Sequence, residues 1–139
     1  MFSEIKFRNS GKIAVTIEKP EKTSSISVVF GRCSYFLIYD REKNKEEILP
    51  NPFASELGRA GIQSARFLIE HDVDAVIIRQ IGMNPFRFLT SANIKVYQCK
   101  VETATEAIRL FTEGKLISMK NIKEGLSFGK KRKRYGRKI

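Results

Sequence analysis

The chain has 139 residues, enough for one domain with short extensions and too few for two well-buried domains. Hydrophobic residues make up 42% of it, which excludes wholesale disorder. No apolar run approaches the roughly 20 residues that span a bilayer, and the N-terminal sequence MFSEIKFRNS has no signal-peptide core. The two distant cysteines do not form a disulfide framework. We therefore expect a soluble cytoplasmic protein that does not contact the membrane.

The net charge of +11 is distributed unevenly along the chain. Residues 120–139 contain nine Lys/Arg and one acidic residue, which gives +8. The other 119 residues contain seventeen Lys/Arg and fourteen Asp/Glu, which gives +3. A basic sequence suggests nucleic-acid binding, but here the excess charge belongs to the C-terminal tail and not to the body.

The first half of the chain predicts three strands followed by a proline-rich stop. Alternating apolar residues over Lys12–Glu18 indicate a strand. The nearly continuous apolar run Ser34–Asp40 is typical of a strand buried on both faces. A charged turn then leads to a weak edge strand near Glu46–Leu49. Pro50 and Pro52 end the pairing because they lack N–H donors.

The second half alternates helices with short strands, so the whole chain predicts a mixed three-layer α/β sheet led by an antiparallel hairpin. We expect Asn84 to cap the second helix and Pro85 to take its first position. Thr103 and Glu106 have capping-box spacing, and Gly114 is expected to end that third helix. The other predicted segments are a helix over Gly58–His71, a strand over Asp74–Arg79 and a strand over Lys95–Cys99.

Several predicted loops meet at the carboxyl edge of the parallel strands, where ligands bind in open α/β sheets. Two helix N-termini there would offer free N–H groups and a favourable dipole, which suit an anion such as a sulfide-rich cluster or a phosphate. The alternative is that the glycines only allow close helix–sheet contacts or turns. The candidate residues at this edge are Gly31, Arg32, Cys33, Gly58, Gly61, Gly82 and Asn84.

Cys33 is the candidate metal ligand, because a thiolate is a soft donor suited to iron–sulfur chemistry. Arg32 and the nearby helix termini are expected to lower its pKa. The alternative for Cys33 is a small buried core residue. Cys99, expected at the same edge, is a second candidate ligand.

Four short segments, in this order and spacing, resemble the dinitrogenase iron–molybdenum cofactor biosynthesis family, the NifX/NifB-type domain. They are Lys12–Thr16 (KIAVT), Phe30–Asp40 (FGRCSYFLIYD), Gly58–Gln63 (GRAGIQ) and Ile81–Leu89 (IGMNPFRFL), with the Asn51-Pro52 pair and Ile94–Tyr97 in the expected places. The resemblance covers residues 12–116. It leaves an N-terminal arm, 1–11, and a basic C-terminal extension, 117–139.

The resemblance implies an RNase H-like fold whose five-stranded sheet has the order 3-2-1-4-5, with the second strand antiparallel. It implies a non-enzymatic binding or carrier domain for an iron–sulfur or iron–molybdenum type cluster, with cluster donor and acceptor proteins as partners. It also adds Asn51 to the candidate binding residues, the alternative being that Asn51 caps a turn.

Two features limit how far the properties of the family can be assigned to this chain. Many cluster-handling members have His immediately before the Phe-Gly pair, where this chain has Val29. In the family's strand order, strands two and five lie about 14 Å apart, which argues against a Cys33–Cys99 disulfide. The sequence also lacks a catalytic triad pattern, a P-loop, a CxxC and a paired-carboxylate motif, so an enzyme is not indicated.

The basic tail supports an alternative function, RNA or DNA binding on a ligand-free scaffold. Such a cationic run neutralises phosphates and gives salt-sensitive, sequence-independent affinity. The simpler interpretation is a solvated tail that improves solubility. The residues concerned are Lys130, Lys131, Arg132, Lys133, Arg134, Arg137 and Lys138.

Overall fold

The computed structural model describes residues 11–56 and 58–121, and within them five strands and three helices alternate as the sequence predicts. The predicted arm up to residue 10 and the basic run 130–138 lie outside the described residues. The elements are β1 (Lys12–Ile17), β2 (Tyr35–Asp40), β3 (Lys45–Pro50), α1 (Ala60–Glu70), β4 (Ala75–Ile78), α2 (Met83–Ser91), β5 (Lys95–Gln98) and α3 (Ala104–Thr112).

The sheet has the order β3-β2-β1-β4-β5, which confirms the expected topology. Strand β2 runs antiparallel to both neighbours, with Val15 opposite Leu37 and Leu37 opposite Ile48. Strands β4 and β5 run parallel to β1. The carboxyl ends of β1, β4 and β5 therefore share one edge with the start of β2 and the end of β3.

Alternation along the strands builds a separate core on each face of the sheet. Ala14, Phe36 and Val76 belong to a core completed by α1 and α2, which we call the α1/α2 face. Val15 and Ile77 belong to a core completed by α3, which we call the α3 face. Within the described ranges, no helix is long and apolar enough to cross a membrane.

The helix starts differ in how well the sequence predicts them. Thr103 caps α3 as expected, since its side chain accepts a hydrogen bond from the Glu106 N–H at 3.2 Å. The expectation that Asn84 caps α2 and that Pro85 takes its first position is wrong, because Gly82 is the cap residue. Asn84 lies exposed in the first turn, and Pro85 is the third helical residue. Helix α1 starts two residues after Gly58.

The residues just outside the family resemblance are partly incorporated into the body. Gly11 is buried, and its N–H donates to the Asp74 carboxylate at 2.6 Å. At the other end, Met119 is only 7% exposed, and its N–H donates to the carbonyl of Val96 at 2.7 Å. The chain therefore stays on the body past residue 116, at least to Met119.

Two glycines let a loop pack directly against the start of α1. A Cβ added to Gly31 would lie 2.7 Å from the Cα of Gly61. A Cβ added to Gly61 would lie 2.9 Å from the Cγ of Pro85, in the first turn of α2. Gly31 also has φ of +99°, which L residues with side chains rarely adopt. The loop therefore meets α1 backbone to backbone, and the start of α2 meets α1 through the ring of Pro85.

Replacing Gly31 should cost far more stability than replacing Gly58, although both have positive φ. Gly58 has open space around its Cβ position, so Gly58→Ala should lower the free energy of unfolding by about 1 kcal/mol from backbone strain alone. Gly31→Ala adds the clash with Gly61, and we expect a loss of about 3 kcal/mol or more. Urea unfolding of the two variants measures the difference. Equal losses would contradict the close contact.

Candidate functional site

The loop from Val28 to Cys33 lies across the carboxyl edge of the sheet. The Phe30 N–H donates to the Gln80 carbonyl at 2.8 Å, which ties the loop to the segment after β4. Phe30 itself is buried in the α1/α2 face. Val28 and Val29 are 57% and 41% exposed. The loop thus presents two valines to solvent, and Val29 occupies the place of the expected His.

Asn51 joins three segments beneath this loop. Its Nδ2 lies 3.0 Å from the Cys33 carbonyl oxygen, 3.3 Å from that of Gly31 and 3.1 Å from the hydroxyl of Ser64 in α1. Its Oδ1 accepts from the Phe53 N–H at 3.0 Å. Asn51 is buried, so it organises the edge from inside. Of the two interpretations from sequence, the turn cap is the one that matches these contacts.

Arg32 supports the neighbouring loop. Its Nη1 donates to the carbonyl oxygens of Glu56, at 2.7 Å, and Ala54, at 3.2 Å. The guanidinium remains exposed, so its charge still contributes to the field at the edge. Its two hydrogen bonds nevertheless hold the segment between β3 and α1 in place.

The N-termini of α1 and α2 are both open at this edge. Neither has a side-chain cap hydrogen bond, and neither has an acidic residue in its first turn. They adjoin each other through the Gly61–Pro85 contact. The cap residue of α1 is the exposed Arg59, the opposite charge to the acidic bias usual at a helix start. Met83, the first residue of α2, is 44% exposed.

The third helix start, that of α3, is closed. Besides the Thr103 cap, the Ala104 N–H donates to the Ser24 carbonyl at 3.0 Å. The Thr105 N–H donates to the Lys22 carbonyl, also at 3.0 Å. The loop after β1 thus closes the start of α3 with hydrogen bonds, whereas it packs against the start of α1 through the close approach of Gly31 to Gly61.

The two cysteines do not converge. Cys33 is buried in the core of the α1/α2 face, and Cys99 is buried in the core of the α3 face. Both lie near the carboxyl edge as expected, Cys33 just before β2 and Cys99 just after β5, but the sheet separates the two thiols. Nor do the described residues contain any group of three or more His, Cys, Asp or Glu side chains that could hold a metal ion.

The expected lowering of the Cys33 pKa is also wrong. Burial raises the pKa of the Cys33 thiol to about 12, although the hydrogen bond from Asn51 acts in the opposite direction. The thiol is therefore neutral near pH 7 in the folded protein. Arg32 does not offset the burial because its guanidinium is directed to Ala54 and Glu56.

The structure thus divides the candidate residues by role. Gly31 and Gly61 make the close contact, Asn51 and Arg32 support the loops, and Gly82 begins α2. Gly58 lies in an exposed bend before α1. Sequence reasoning missed Arg59, Ser64 and Met83. A basic residue at an otherwise uncapped helix start was a readable signal for Arg59, whereas the Ser64–Asn51 bond depends on the tertiary fold.

Comparisons with known proteins show the family of this chain and agree with its fold. The model of the family described as dinitrogenase iron–molybdenum cofactor matches residues 11–114. The chain belongs to this family. A curated relative, an uncharacterised protein of Methanocaldococcus jannaschii, is 34% identical over 109 residues, which are 76% of this chain and 88% of that protein.

Two solved structures share the fold of this chain. The apo form of the orange protein from Desulfovibrio gigas has a TM-score of 0.77 and 26% identity, over 81% of this chain and 96% of that one. A candidate NifB protein from Thermotoga has a TM-score of 0.69 and 32% identity, over 78% of this chain and 92% of that one. The expected family and fold are therefore confirmed.

The Cys33 thiol should resist alkylation in the folded protein. A pKa of about 12, against 9.0 for an ordinary thiol, leaves about a thousandfold less thiolate at pH 8. In a Cys99→Ala background, we expect iodoacetamide to react at least a hundredfold more slowly with folded than with urea-unfolded protein. An equal or faster rate in the folded state would contradict a buried neutral thiol.

We expect replacement of Asn51 to lower the stability of the fold whether or not a ligand is bound. Asn51→Ala leaves the carbonyls of Gly31 and Cys33 and the Phe53 N–H without this partner, so we expect a loss of about 3 kcal/mol in unfolding free energy. Ser64→Ala removes one hydroxyl and should cost about 1 kcal/mol. Thermal and urea unfolding measure both. A loss below 0.5 kcal/mol for Asn51→Ala, on the order of a neutral surface change, would contradict this role.

Proposed function

We propose that this protein is a non-enzymatic carrier that binds an anionic metal–sulfur cluster as its cargo at the carboxyl edge of the sheet. The backbone N–H groups at the starts of α1 and α2 hold the anion, with Arg59 and Arg32 adding positive charge. At α2 these donors are the N–H groups of Met83 and Asn84, because Pro85 has none. The cargo arrives as a preformed anion and is released intact, so no bond of the protein is made or broken.

The contrast among the three helix starts carries this proposal. The start of α3 is closed by Thr103 and by carbonyl oxygens of the loop after β1. The starts of α1 and α2 lack caps and acidic residues, although they lie side by side at the same edge. Uncapped N–H groups with a shared dipole field favour an anion.

The apolar neighbours favour a sulfide-rich anion over a strongly hydrated phosphate. Val28, Val29 and Met83 are all at least 41% exposed at this edge. Sulfide is a soft, polarisable ligand, and a cluster coated with it can contact methyl and thioether groups while its charge faces the N–H groups. The guanidinium of Arg59 would serve a phosphate as well, so the exposed apolar side chains are what favour the sulfide-rich anion.

The thiols have no place in this mode of binding. Cys33 is buried with a raised pKa, and Cys99 lies on the other face of the sheet. The family to which the chain belongs is described by the iron–molybdenum cofactor. That association supports a metal–sulfur cargo, and the chemistry of this edge supports binding through backbone donors.

A carboxylate placed at the start of α2 should abolish binding while preserving the fold. Gly82 has an ordinary extended backbone, and an added Cβ would lie 3.8 Å from Pro85, so Gly82→Asp is sterically tolerated. Aspartate there caps the helix and should leave stability unchanged or slightly higher. It also repels the cargo, and we expect at least a tenfold loss of affinity. Gly82→Ala, with neither cap nor charge, is the matched control.

The measurement uses full-length protein under anaerobic conditions with two probes, tetrathiomolybdate and a mixture of iron and sulfide. After desalting, the visible absorption that remains with the protein reports bound cargo. We expect retention by the native protein, Gly82→Ala and a folded Cys33→Ser, and loss by Gly82→Asp. No retention by native protein, equal retention by Gly82→Asp, or loss on Cys33→Ser would each overturn the proposal.

A further inference from the structure

The carboxyl ends of β1 and β4 are separated by part of the loop that follows β1. The two strands pair directly only as far as Val15 and Ile77, and beyond that pair Gln80 is bridged to Val29 of the loop. The connection after β1 leads to β2 on one side, whereas the connection after β4 leads to β5 on the other. Such a crevice is where open α/β sheets bind ligands, and residues 27–29 fill it here.

Two hydroxyl groups are buried beside this crevice without a hydrogen-bond partner. Thr16 Oγ1 and Ser27 Oγ make no hydrogen bond in the described part of the chain, although Thr16 is 0% and Ser27 is 1% exposed. The two residues adjoin each other, because the Ser27 N–H donates to the Thr16 carbonyl at 2.9 Å. The third buried atom without a partner in these ranges is Arg79 Nε, but the Nη2 of that guanidinium donates to the Val101 carbonyl at 3.4 Å.

Packing alone does not require either hydroxyl. Valine has nearly the shape of threonine, and alanine differs from serine only by the Oγ atom, so apolar residues would fill both positions without burying an unpaired donor. Buried hydroxyls in folded proteins normally have a partner. A ligand that accepts hydrogen bonds in the crevice would supply a partner to both.

The residues next to Ser27 have the opposite exposure. Val28 is 57% and Val29 is 41% exposed, so the segment buries its polar side chain and exposes its two apolar ones, the reverse of the usual preference. The ends of the segment are fixed, because Ile26 is buried in the core of the α3 face and Phe30 in the core of the α1/α2 face. A change of conformation is therefore confined to residues 27–29.

We infer that residues 27–29 are a lid that rearranges when the cargo binds, and that the Thr16 and Ser27 hydroxyls then donate hydrogen bonds to the cargo. The inference rests on the proposed function, because the cargo is the same anion at the same edge. Gln80, which is bridged to the lid, lies two residues before Gly82, the cap residue of α2. The crevice therefore adjoins one of the two open helix starts.

Binding would relieve both unfavourable features of the closed lid. The sulfur atoms of metal–sulfur clusters accept hydrogen bonds from proteins, so the cargo supplies the partners that the two hydroxyls lack. Rearrangement also moves the methyl groups of Val28 and Val29 from water onto the polarisable surface of the cargo. The lid thus favours an anion that accepts hydrogen bonds and tolerates apolar contact.

The first test removes each hydroxyl with little change of shape, in full-length Thr16→Val and Ser27→Ala. Thr90→Val is the control, because the Thr90 hydroxyl on α2 donates to the Phe86 carbonyl at 3.0 Å. Equilibrium dialysis against tetrathiomolybdate under anaerobic conditions gives the affinity, and thermal unfolding of the free proteins gives the stability. We expect the first two variants to bind at least fivefold more weakly and to melt at the native temperature or above it, since neither loses a hydrogen bond within the fold. The control should bind as the native protein does.

Native affinity in both variants would overturn the inference. Weaker binding together with a lower melting temperature would also overturn it, because the hydroxyls would then have partners within the fold. If the native protein did not bind the probe, the proposed function would fail and the hydroxyl contacts with it.

Hydrogen exchange of the free full-length protein tests the lid without any cargo. The Ser27 N–H is bonded to Thr16 inside the lid, and the Cys99 N–H, at the same edge of the sheet, donates to the Ile78 carbonyl at 2.9 Å. We expect protection of the Ser27 N–H to be at least a hundredfold lower, through a local opening that low concentrations of urea do not promote. Equal protection of the two N–H groups would show that the segment does not open and would overturn the inference.

Discussion

The contact between Gly31 and Gly61 is the constraint on which the carboxyl edge depends. It lets the loop after β1 touch the start of α1, while Pro85 brings the start of α2 against the same helix. Any side chain at Gly31 would push the loop away from α1 and disturb the Asn51 hydrogen bonds beneath it. Because neither Gly31 nor Gly61 has a Cβ atom, the starts of α1 and α2 lie close to the loop that exposes Val28 and Val29.

Around that contact, the residues that stabilise the edge are buried, and the groups that a ligand could contact are exposed. Asn51 and Ser64 are buried and bond the loops to α1, and the Cys33 thiol is enclosed among apolar side chains. The exposed groups are backbone donors, Arg59 and apolar side chains. In the proposed function, this division lets an edge whose thiol is buried bind a metal–sulfur anion, because the protein supplies a complementary positive field and no thiolate ligand.

Charge is divided in a similar way. The carboxyl edge owes its positive character mainly to helix dipoles, which act within the first turn. Most of the chain's net charge of +11 instead belongs to the side chains of residues 120–139, which carry +8.

The sequence by itself determined the alternation of strands and helices, the antiparallel hairpin, the Thr103 cap and, through four short motifs, the family and sheet order. These features depend on periodicity, capping and motif order, all of which can be read from residues that are close together in the sequence. It could not determine that the Cys33 and Cys99 thiols lie on opposite faces, that Gly82 caps α2, or that Arg32 reaches back to Ala54 and Glu56. Only the tertiary structure decided these, because burial and side-chain direction depend on residues distant in the chain. An arginine next to a cysteine in the sequence lowers the pKa of the thiol only if the folded chain keeps the guanidinium close to a thiol that is not buried.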